Sequence, residues 1–297
     1  METIDRRAPA RTGEVTRIAP HVWRVVATNA SPLTGPGTNS YVVGESRSIV
    51  IDPGPADPEH LERLLEVAGG RVATIVCTHS HTDHSPGAAP LAARTGATVV
   101  GMPAPRVDEY QDDTYRPDRV PVDGDRFADG AFELTVLHTP GHASNHLCLL
   151  EASTGLLFTG DHLMHGSTVA ILPPDGSMGQ YLGSLARLRT VDVRDLAPGH
   201  GALIEDAHAE IERVIAHRMR RESKVVAALE SRGTATLDDI LPEVYADVPV
   251  AMHPMARYSL LAHVLKLEDD HRVLRAGESW ALAPNGSRTD ALGDTPK

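Results

Sequence analysis

Over the first two hundred positions the chain alternates short β-branched or apolar runs with stretches of helical spacing, and the two periods predict different elements. Residues 15–27 and 40–52 alternate or run apolar with Val, Ile, Tyr and Trp, which predicts strands of an antiparallel sheet. The run at 72–77, Val-Ala-Thr-Ile-Val-Cys, reads as a buried strand, and 97–101, 132–137, 146–151, 156–159 and 193–197 read as further strands. Helical spacing marks 58–67, where Leu61, Leu64 and Leu65 join Ala68 on one face, and also 86–95 and 180–188. Beyond 206 the period is helical almost throughout. A long helix is expected over 207–231, ended by Gly233, then a short one capped by Thr236, then a third over 254–269. Residues 272–274 and 280–282 flank Gly277 as a small β-wing. Three helices and a wing predict a winged-helix-like module.

Less regular stretches separate these elements. Residues 1–13 read as a loose, flexible polar leader and 286–297 as a flexible tail. The loop at 31–39 is turn-rich, but its Gly35-Pro36-Gly37 lacks a third glycine and precedes a strand, so it is not a dinucleotide loop. Residues 103–130, rich in Pro, Asp and Arg, form a long loop. Loops of that length often border active sites, whereas its acidic content favours a solvated surface, the reading we prefer.

Composition narrows the class. With 41% apolar and 23% charged residues in 297, the chain is globular and long enough for one large domain and a small one. A net charge of −12 opposes a polyanion-binding surface. Residues 210–297 carry 12 Lys/Arg against 14 Asp/Glu, so the winged module is not basic either, apart from a local cluster of Arg213, Arg218, Arg220, Arg221 and Lys224. Its expected use is packing or substrate-pocket formation, with nucleic-acid binding as the alternative. Only Cys77 and Cys148 occur, both in apolar runs, which suits a reducing cytoplasm. No apolar leader and no stretch of eighteen apolar residues is present, so neither a secretory signal nor a membrane span is expected.

The chemistry collects where strands stop. His79, His81, Asp83 and His84 fall within six residues directly after the run at 72–77. Alternate side chains of an extended segment share a face, so His79 and His81 can grip one cation while Asp83 and His84 reach toward a second. His142 follows the Pro140-Gly141 turn, Asp161 follows Gly160, and His200 lies between Gly199 and Gly201, each at the end of an expected strand. Seven such groups exceed one tetrahedral zinc and suit two metals with Asp161 between them; iron or manganese would also accept these ligands. Cations ~3.5–4 Å apart can clamp the attacking and departing oxygens of a displacement, and a metal-bridging hydroxide serves as nucleophile. Asp52, at the end of another strand, is either a turn former or an acceptor behind the ligands. His138, His162 and His165 are expected to be supporting or surface residues. There is no complete G-x-S-x-G elbow and no phosphate-binding G-x-x-x-x-G-K-S/T loop.

In this order, His79-Ser80-His81-Thr82-Asp83-His84, Gly141-His142, Gly160-Asp161 and Gly199-His200-Gly201 resemble the metallo-β-lactamase superfamily over most of residues 15–210. The resemblance implies an αββα sandwich, an α/β fold, with a dinuclear site at one edge of its two sheets. It assigns His79, His81 and His142 to the first metal, Asp83, His84 and His200 to the second, and Asp161 as the bridge. The best-known zinc β-lactamases have Cys where this chain has Asp161, so β-lactam turnover is expected to be weak and incidental. The stretch from Thr139 to His146 is similar to glyoxalase II; on that likeness His146 faces substrate, while its place in a strand favours a structural role. Sandwich and tail together resemble the narrower lactamase-like protein 2 family, which the pattern from Met252 to His263 also fits. Animal members of that family are mitochondrial single-strand endoribonucleases, and related fungal proteins release polyketides from carrier-protein thioesters.

The expectation is therefore a catalytic domain over 14–210 and a winged-helix-like domain over 211–285. The enzyme is a cytoplasmic hydrolase dependent on two Zn2+, in which Asp83 orients the nucleophile and passes its proton. The favoured substrate is a thioester or other acyl compound, small or carrier-bound. Single-strand RNA cleavage is the alternative, and a metal-centred ligand sensor is the alternative of another class. No membrane partner is expected, and a homo-oligomer is allowed.

Overall fold

The structure, a computed structural model, describes residues 4–44, 46–129 and 132–284, so the tail expected over 286–297 lies outside the described residues. Strands β1 (Val15–Ala19), β2 (Val22–Val26), β3 (Asn39–Val43) and β4 (Ser48–Ile51) precede helix α1 (Pro58–Val67). Strand β5 (Val72–Val76), helix α2 (Ala88–Thr95) and strand β6 (Thr98–Val100) complete the first half. The first sheet has the order β1-β2-β3-β4-β5-β6, antiparallel as far as β4 and parallel from β4 to β6. Each of the two early apolar runs is thus two strands. The first run reverses at Pro20-His21, where His21 takes a positive φ of 57°, a turn without the usual glycine.

The second sheet is built from β7 (Arg126–Asp129), β8 (Phe132–His138), β9 (Leu147–Glu151), β10 (Leu156–Gly160), β11 (Asp195–Pro198) and β12 (Ile204–Glu205). These six strands lie in inverse order from β12 to β7, and β10 and β11 form their one parallel pair. Helix α3 (Met178–Leu188) crosses between β10 and β11, and α4 (Ala207–Arg232) leaves the sheet.

Alternation sorts each buried strand into two layers. Tyr41, Ile49, Ile51, Val76, Leu134, Leu149 and Phe158 fill the space between the sheets. Their neighbours Val42, Val50 and Ile75 turn outward onto Leu61, Leu64 and Leu91 of α1 and α2. On the opposite side Cys148, Leu157 and Leu196 meet Tyr181, Leu185, Ile211 and Val214 of α3 and α4. Helices cover both outer faces, which is the expected αββα sandwich.

Strand β13 (Thr234–Thr236), α5 (Leu237–Val244), α6 (His253–Asp269), β14 (Val273–Ala276) and β15 (Ser279–Leu282) form the winged helix, with a sheet of order β13-β15-β14. Thr236 caps α5 and Asp239 returns the bond to its backbone, the capping box that the sequence foreshadows. The expected boundary at 210/211 falls inside α4. That helix packs Ile211, Val214 and Ile215 against the sandwich and Val225, Val226 and Leu229 against α5 and α6. One rigid element therefore belongs to both modules.

Over the described part of 1–13 the chain packs onto the sandwich. Ala8 is buried, Arg7 bonds Glu205, Arg6 pairs with Asp195, and the buried Arg24 donates to Ala8 O at 3.1 Å and Pro9 O at 3.0 Å. Two basic side chains tie a polar segment to the acidic edge of the second sheet.

Candidate metal centre

The loops that follow β5, β8, β10 and β11 meet at one edge of the sandwich. His79 Nε2 and His142 Nε2 each lie 3.0 Å from His81 Nδ1. Three nitrogens ~2.0–2.1 Å from one tetrahedral ion stand ~3.3 Å apart, so this spacing fits a single cation. Alongside, His84 Nε2 is 3.6 Å from Asp83 Oδ2, which is 3.2 Å from His200 Nε2. Asp161 stands between the two groups. Its Oδ1 lies 3.5 Å from His84 Nε2 and 3.4 Å from His200 Nε2, and its Oδ2 lies 3.8 Å from His142 Nε2. All seven strand-end residues named from the sequence meet here, in the overlapping sets His79/His81/His142, His79/His84/Asp161 and Asp83/His84/His200.

The donor set fits a pair of divalent cations. His84 Nε2 and Asp161 Oδ1 are buried without a hydrogen-bond partner, which a folded chain tolerates only where something else satisfies them. The backbone also keeps the space between them open: a Cβ on Gly199 would stand 2.5 Å from Asp161 Oδ1 and 2.8 Å from His84 Cε1.

Electrostatics point the same way. Burial, with its histidine neighbours, lowers His79 far below the usual imidazole value, and burial brings His81 down to about 3, so both are neutral. Burial opposes the charged form of His84 as well, but Asp83, Asp161 and Asp52 outweigh it and hold the imidazole well above its ordinary value. His200 is likewise driven up to about 10 by Asp161 and Asp83 against its burial. Three carboxylates thus draw positive charge into a site in which His79 and His81 stay neutral.

A supporting layer fixes each ring. Asp52 Oδ1 accepts from Thr78 N at 2.7 Å, and Oδ2 accepts from Thr78 Oγ1 at 2.8 Å and His84 Nδ1 at 2.9 Å. Because the Thr78 hydroxyl donates to a carboxylate, it can only accept from His79 Nδ1, 3.0 Å away. One carboxylate therefore sets the tautomers of His79 and His84, and the choice left open between turn former and acceptor resolves in favour of the acceptor. The backbone of Asp52 has a φ of 48°, a left-handed conformation that Asp tolerates and that turns its carboxylate inward. His142 Nδ1 donates to Ala170 O at 2.8 Å and His200 Nδ1 to Gly37 O at 3.3 Å.

Several residues here escaped the sequence reading. Asn39 Nδ2 donates to Pro198 O and Gly201 O, both at 2.8 Å, and Tyr41 Oη to Pro198 O at 2.7 Å, so β3 of one sheet clamps the His200 loop of the other. Ser80 Oγ donates to Gln111 Oε1 at 2.6 Å and accepts from Asn145 Nδ2 at 2.7 Å, which pins the His81 segment from behind. Gln111 and the cleft-lining Tyr110 correct the solvated-surface reading of 103–130, whose middle part borders the site.

The substrate-facing role for His146 is corrected too. The residue is fully buried; its Nε2 accepts from Asp161 N at 3.2 Å, and its Nδ1 donates to Thr139 Oγ1 at 3.0 Å. Both ring nitrogens are used to hold the loop that carries Asp161. His162 is buried against the rings of His146 and Tyr181, His138 Nε2 donates to Ser144 O, and His165 is exposed, as supporting or surface residues should be.

From this centre a cleft of about 550 Å³ opens between the sandwich and the winged helix. His81, Asp83, His142, Asp161 and His200 form its floor. Its walls come from the 31–34 loop, residues 164–172, α4, and Tyr245, Met252 and Met255 of the winged helix.

Comparison with known proteins agrees with this geometry. The profile of the Metallo-beta-lactamase superfamily matches residues 33–200, and that of the Beta-lactamase associated winged helix domain matches 236–280. The lactamase-like protein aptB of Emericella nidulans is 32% identical, with 87% of this chain and 84% of the relative aligned. The atrochrysone carboxyl ACP thioesterase of Aspergillus chevalieri is 30% identical over 92% of this chain and 90% of its own. The beta-lactamase-like protein 2 homolog of Drosophila melanogaster is 31% identical over 89% and 93%. Among solved structures, a metallo-beta-lactamase family protein from Thermus thermophilus superposes with a TM-score of 0.74 at 21% identity, covering 90% of this chain and 100% of that one. A second, solved in a di-iron-bound form, gives 0.53 at 26% identity over 64% and 97%.

Proposed function

The chain belongs to the metallo-beta-lactamase superfamily and is a hydrolase of that superfamily, and from that premise we propose that it cleaves a thioester, small or carrier-bound, at a dinuclear centre. The observation that carries the reading is the convergence of seven ligand side chains at the floor of a cleft whose other walls are largely apolar. The alignment with the thioesterase named among its relatives covers 92% of this chain and so extends into both modules.

His79, His81 and His142 would hold one divalent cation and Asp83, His84 and His200 the other, with Asp161 shared between them; zinc is the expected metal, with iron as the alternative that the di-iron neighbour supports. When bound, such a pair supplies Lewis acidity and lowers the pKa of water toward neutrality. Asp83 faces the cleft with its side chain 27% exposed. Burial alone would raise its carboxyl, but His84 and the bond from His200 outweigh that and hold it down at about 2, so it is ionised at neutral pH. It therefore accepts and orients a proton of the attacking water, and hands it on as the thiol leaves. Tyr245, Met252 and Met255 line space for an acyl chain and exclude water from it.

RNA cleavage would call for a track of free cations beside this cleft. Instead, Arg213 pairs with Glu210, and Arg221 and Lys224 share Asp247. The test is a side-by-side screen of metal-loaded protein on N-acetylcysteamine thioesters, a lactone, a β-lactam, bis-aryl phosphate and single-stranded RNA, with metal content measured. Thioester turnover that disappears with the metal supports the reading. Turnover of RNA or bis-aryl phosphate alone assigns phosphodiester chemistry, and hydrolysis of none of them favours a metal-centred sensor.

A further inference from the structure

Arg218 of α4 is the cation that the chemistry above does not use. It is 3% exposed and lines the interdomain cleft. Its Nη2 donates to Val169 O, its guanidinium stands 5.4 Å from the centroid of the Tyr181 ring, and its Nε–H has no partner. Among the described residues no carboxylate lies within ion-pair distance of it, whereas Arg213, Arg221 and Lys224 of the same helix are paired. Tyr181 does not serve as counter-ion, because burial pushes its phenol up to about 12. Next to it, His217 also lines the cleft, and burial together with Arg218, Arg221, Arg220 and Arg213 lowers that imidazole to about 4, a mark of locally positive potential.

A buried guanidinium without a counter-charge is costly, and its planar fork is the side chain best matched to a carboxylate or phosphate. The location identifies the ligand's position. Arg218 bonds the carbonyl of Val169, and the metal-centre residue His142 bonds the carbonyl of Ala170, the next residue along. Consecutive residues are ~3.8 Å apart, so the guanidinium lies within a few ångströms of the backbone that positions a ligand ring. An anion held by Arg218 therefore shares one cleft with the reacting centre.

We propose that Arg218 forms an anion subsite in the cleft, which takes a carboxylate or phosphate oxyanion carried by the substrate. The proposal rests on the thioesterase reading for its substrate class and on Arg218 alone for the charge. Two parts of a carrier-bound thioester bear such a group: an acyl chain ending in a carboxylate, and the phosphate of a pantetheine arm.

The test uses the metal-loaded full-length protein on three thioesters: butanoyl-N-acetylcysteamine, which is neutral, succinyl-N-acetylcysteamine, with an acyl carboxylate, and butanoyl-4′-phosphopantetheine, with a thiol-side phosphate. One of the two anionic substrates is expected to exceed the neutral one in kcat/KM by ~10- to 100-fold, the range of a charge-assisted hydrogen-bond pair. Which of them does so tells the acyl carboxylate from the phosphate. Arg218→Met collapses that ratio toward one, and Arg218→Lys keeps part of it. Because the ratio compares two substrates on one protein, a general loss of activity cancels. Should Arg218→Met fail to fold, Arg218→Lys decides through a ratio several-fold below that of the wild type. If the wild type turns over no thioester, the functional reading fails by itself, and calorimetric binding of the succinyl thioether and of butanoyl-pantetheine phosphate thioether then decides the subsite. Equal rates on all three substrates, or a ratio or affinity that Arg218 substitution leaves unchanged, would overturn it.

Discussion

Replacing Asp52 by Asn changes one oxygen to an amide nitrogen and should disturb both halves of the centre. The wild-type carboxylate accepts three hydrogen bonds, from Thr78 N, Thr78 Oγ1 and His84 Nδ1. Asn keeps one acceptor, which can still serve the Thr78 amide. Its NH2 then faces two groups that were donating. To avoid the clash of donors, His84 must move its proton from Nδ1 to Nε2, the atom directed at Asp83 and Asp161, and a protonated nitrogen cannot bind a metal. The Thr78 hydroxyl loses its acceptor as well, and with it the constraint on His79 Nδ1. Outer-shell changes of this kind weaken metal binding by ~10- to 100-fold, or ~1.4–2.7 kcal/mol. Thr78→Val removes only the hydroxyl link and should weaken the His79/His81/His142 half alone, by about tenfold. The assay is titration of metal-free protein with zinc against a chromophoric chelator, which gives stoichiometry and both affinities. Two unchanged affinities in Asp52→Asn would refute the claim that this carboxylate sets the tautomers.

Asp161→Ala deletes the carboxylate that stands between His142 on one side and His84 and His200 on the other, the proposed bridge; metal analysis should find fewer than two ions per chain, with kcat/KM falling by more than the ~100-fold upper end of outer-shell changes. Full occupancy with normal turnover would contradict the bridging assignment. Truncation after residue 232 uncovers Val225, Val226 and Leu229 and removes the cleft walls at Tyr245, Met252 and Met255, so solubility and KM should suffer while metal per chain holds. Loss of metal instead would mean that the winged helix supports the centre directly. His60 is buried against Ser40, and burial lowers its imidazole to about 4 from an unfolded value of 6.5. Between those limits the unfolded chain binds the extra proton, so stability falls as pH drops from about 6.5 to about 4, by on the order of 3 kcal/mol from this group. His60→Gln should flatten the dependence of denaturation midpoint on pH over that window; identical slopes would exclude the assignment.

The ligands were legible because each follows a strand whose apolar run is unmistakable and whose end is marked by glycine or by a cluster of histidines. Elements without that contrast were not. Strand β7 is Arg-Phe-Ala-Asp at a sheet edge, β12 is two residues long, and β13 is Thr-Ala-Thr, whose last member reads as a helix cap. Their pairing comes from neighbours already in place, so no local pattern announces it. Asn39 and Gln111 were hidden for another reason. Each acts on backbone or side chains far along the chain, Asn39 across 159 residues to Pro198 and Gln111 across 31 to Ser80, and one sequence does not show such distances closing. At His146 two signals compete, a motif likeness that points to substrate and a strand context that favours a structural role, and the buried ring agrees with the second.

Three of the five cations in the basic cluster on α4 are taken up by intramolecular ion pairs. Its five cations fall close together in sequence, yet on a helix they point in different directions. Arg213 turns to Glu210 and Ser167 O at the sandwich end, whereas Arg221 and Lys224 turn to Asp247 just beyond α5. Arg221 also lies 4.2 Å from the centroid of the Tyr245 ring, so its charge is spent on fixing a cleft wall. Most of the cluster therefore joins α4 to the elements on either side, and a continuous helix that belongs to both cores transmits the position of the sandwich to the winged helix. The separation of roles follows from this architecture. On the proposed reading, loops at the strand ends supply the metal ligands and α4 with the winged helix supplies the surface against which the rest of a substrate lies, so substitutions in α4 should alter which substrate is chosen before they alter whether metal is bound.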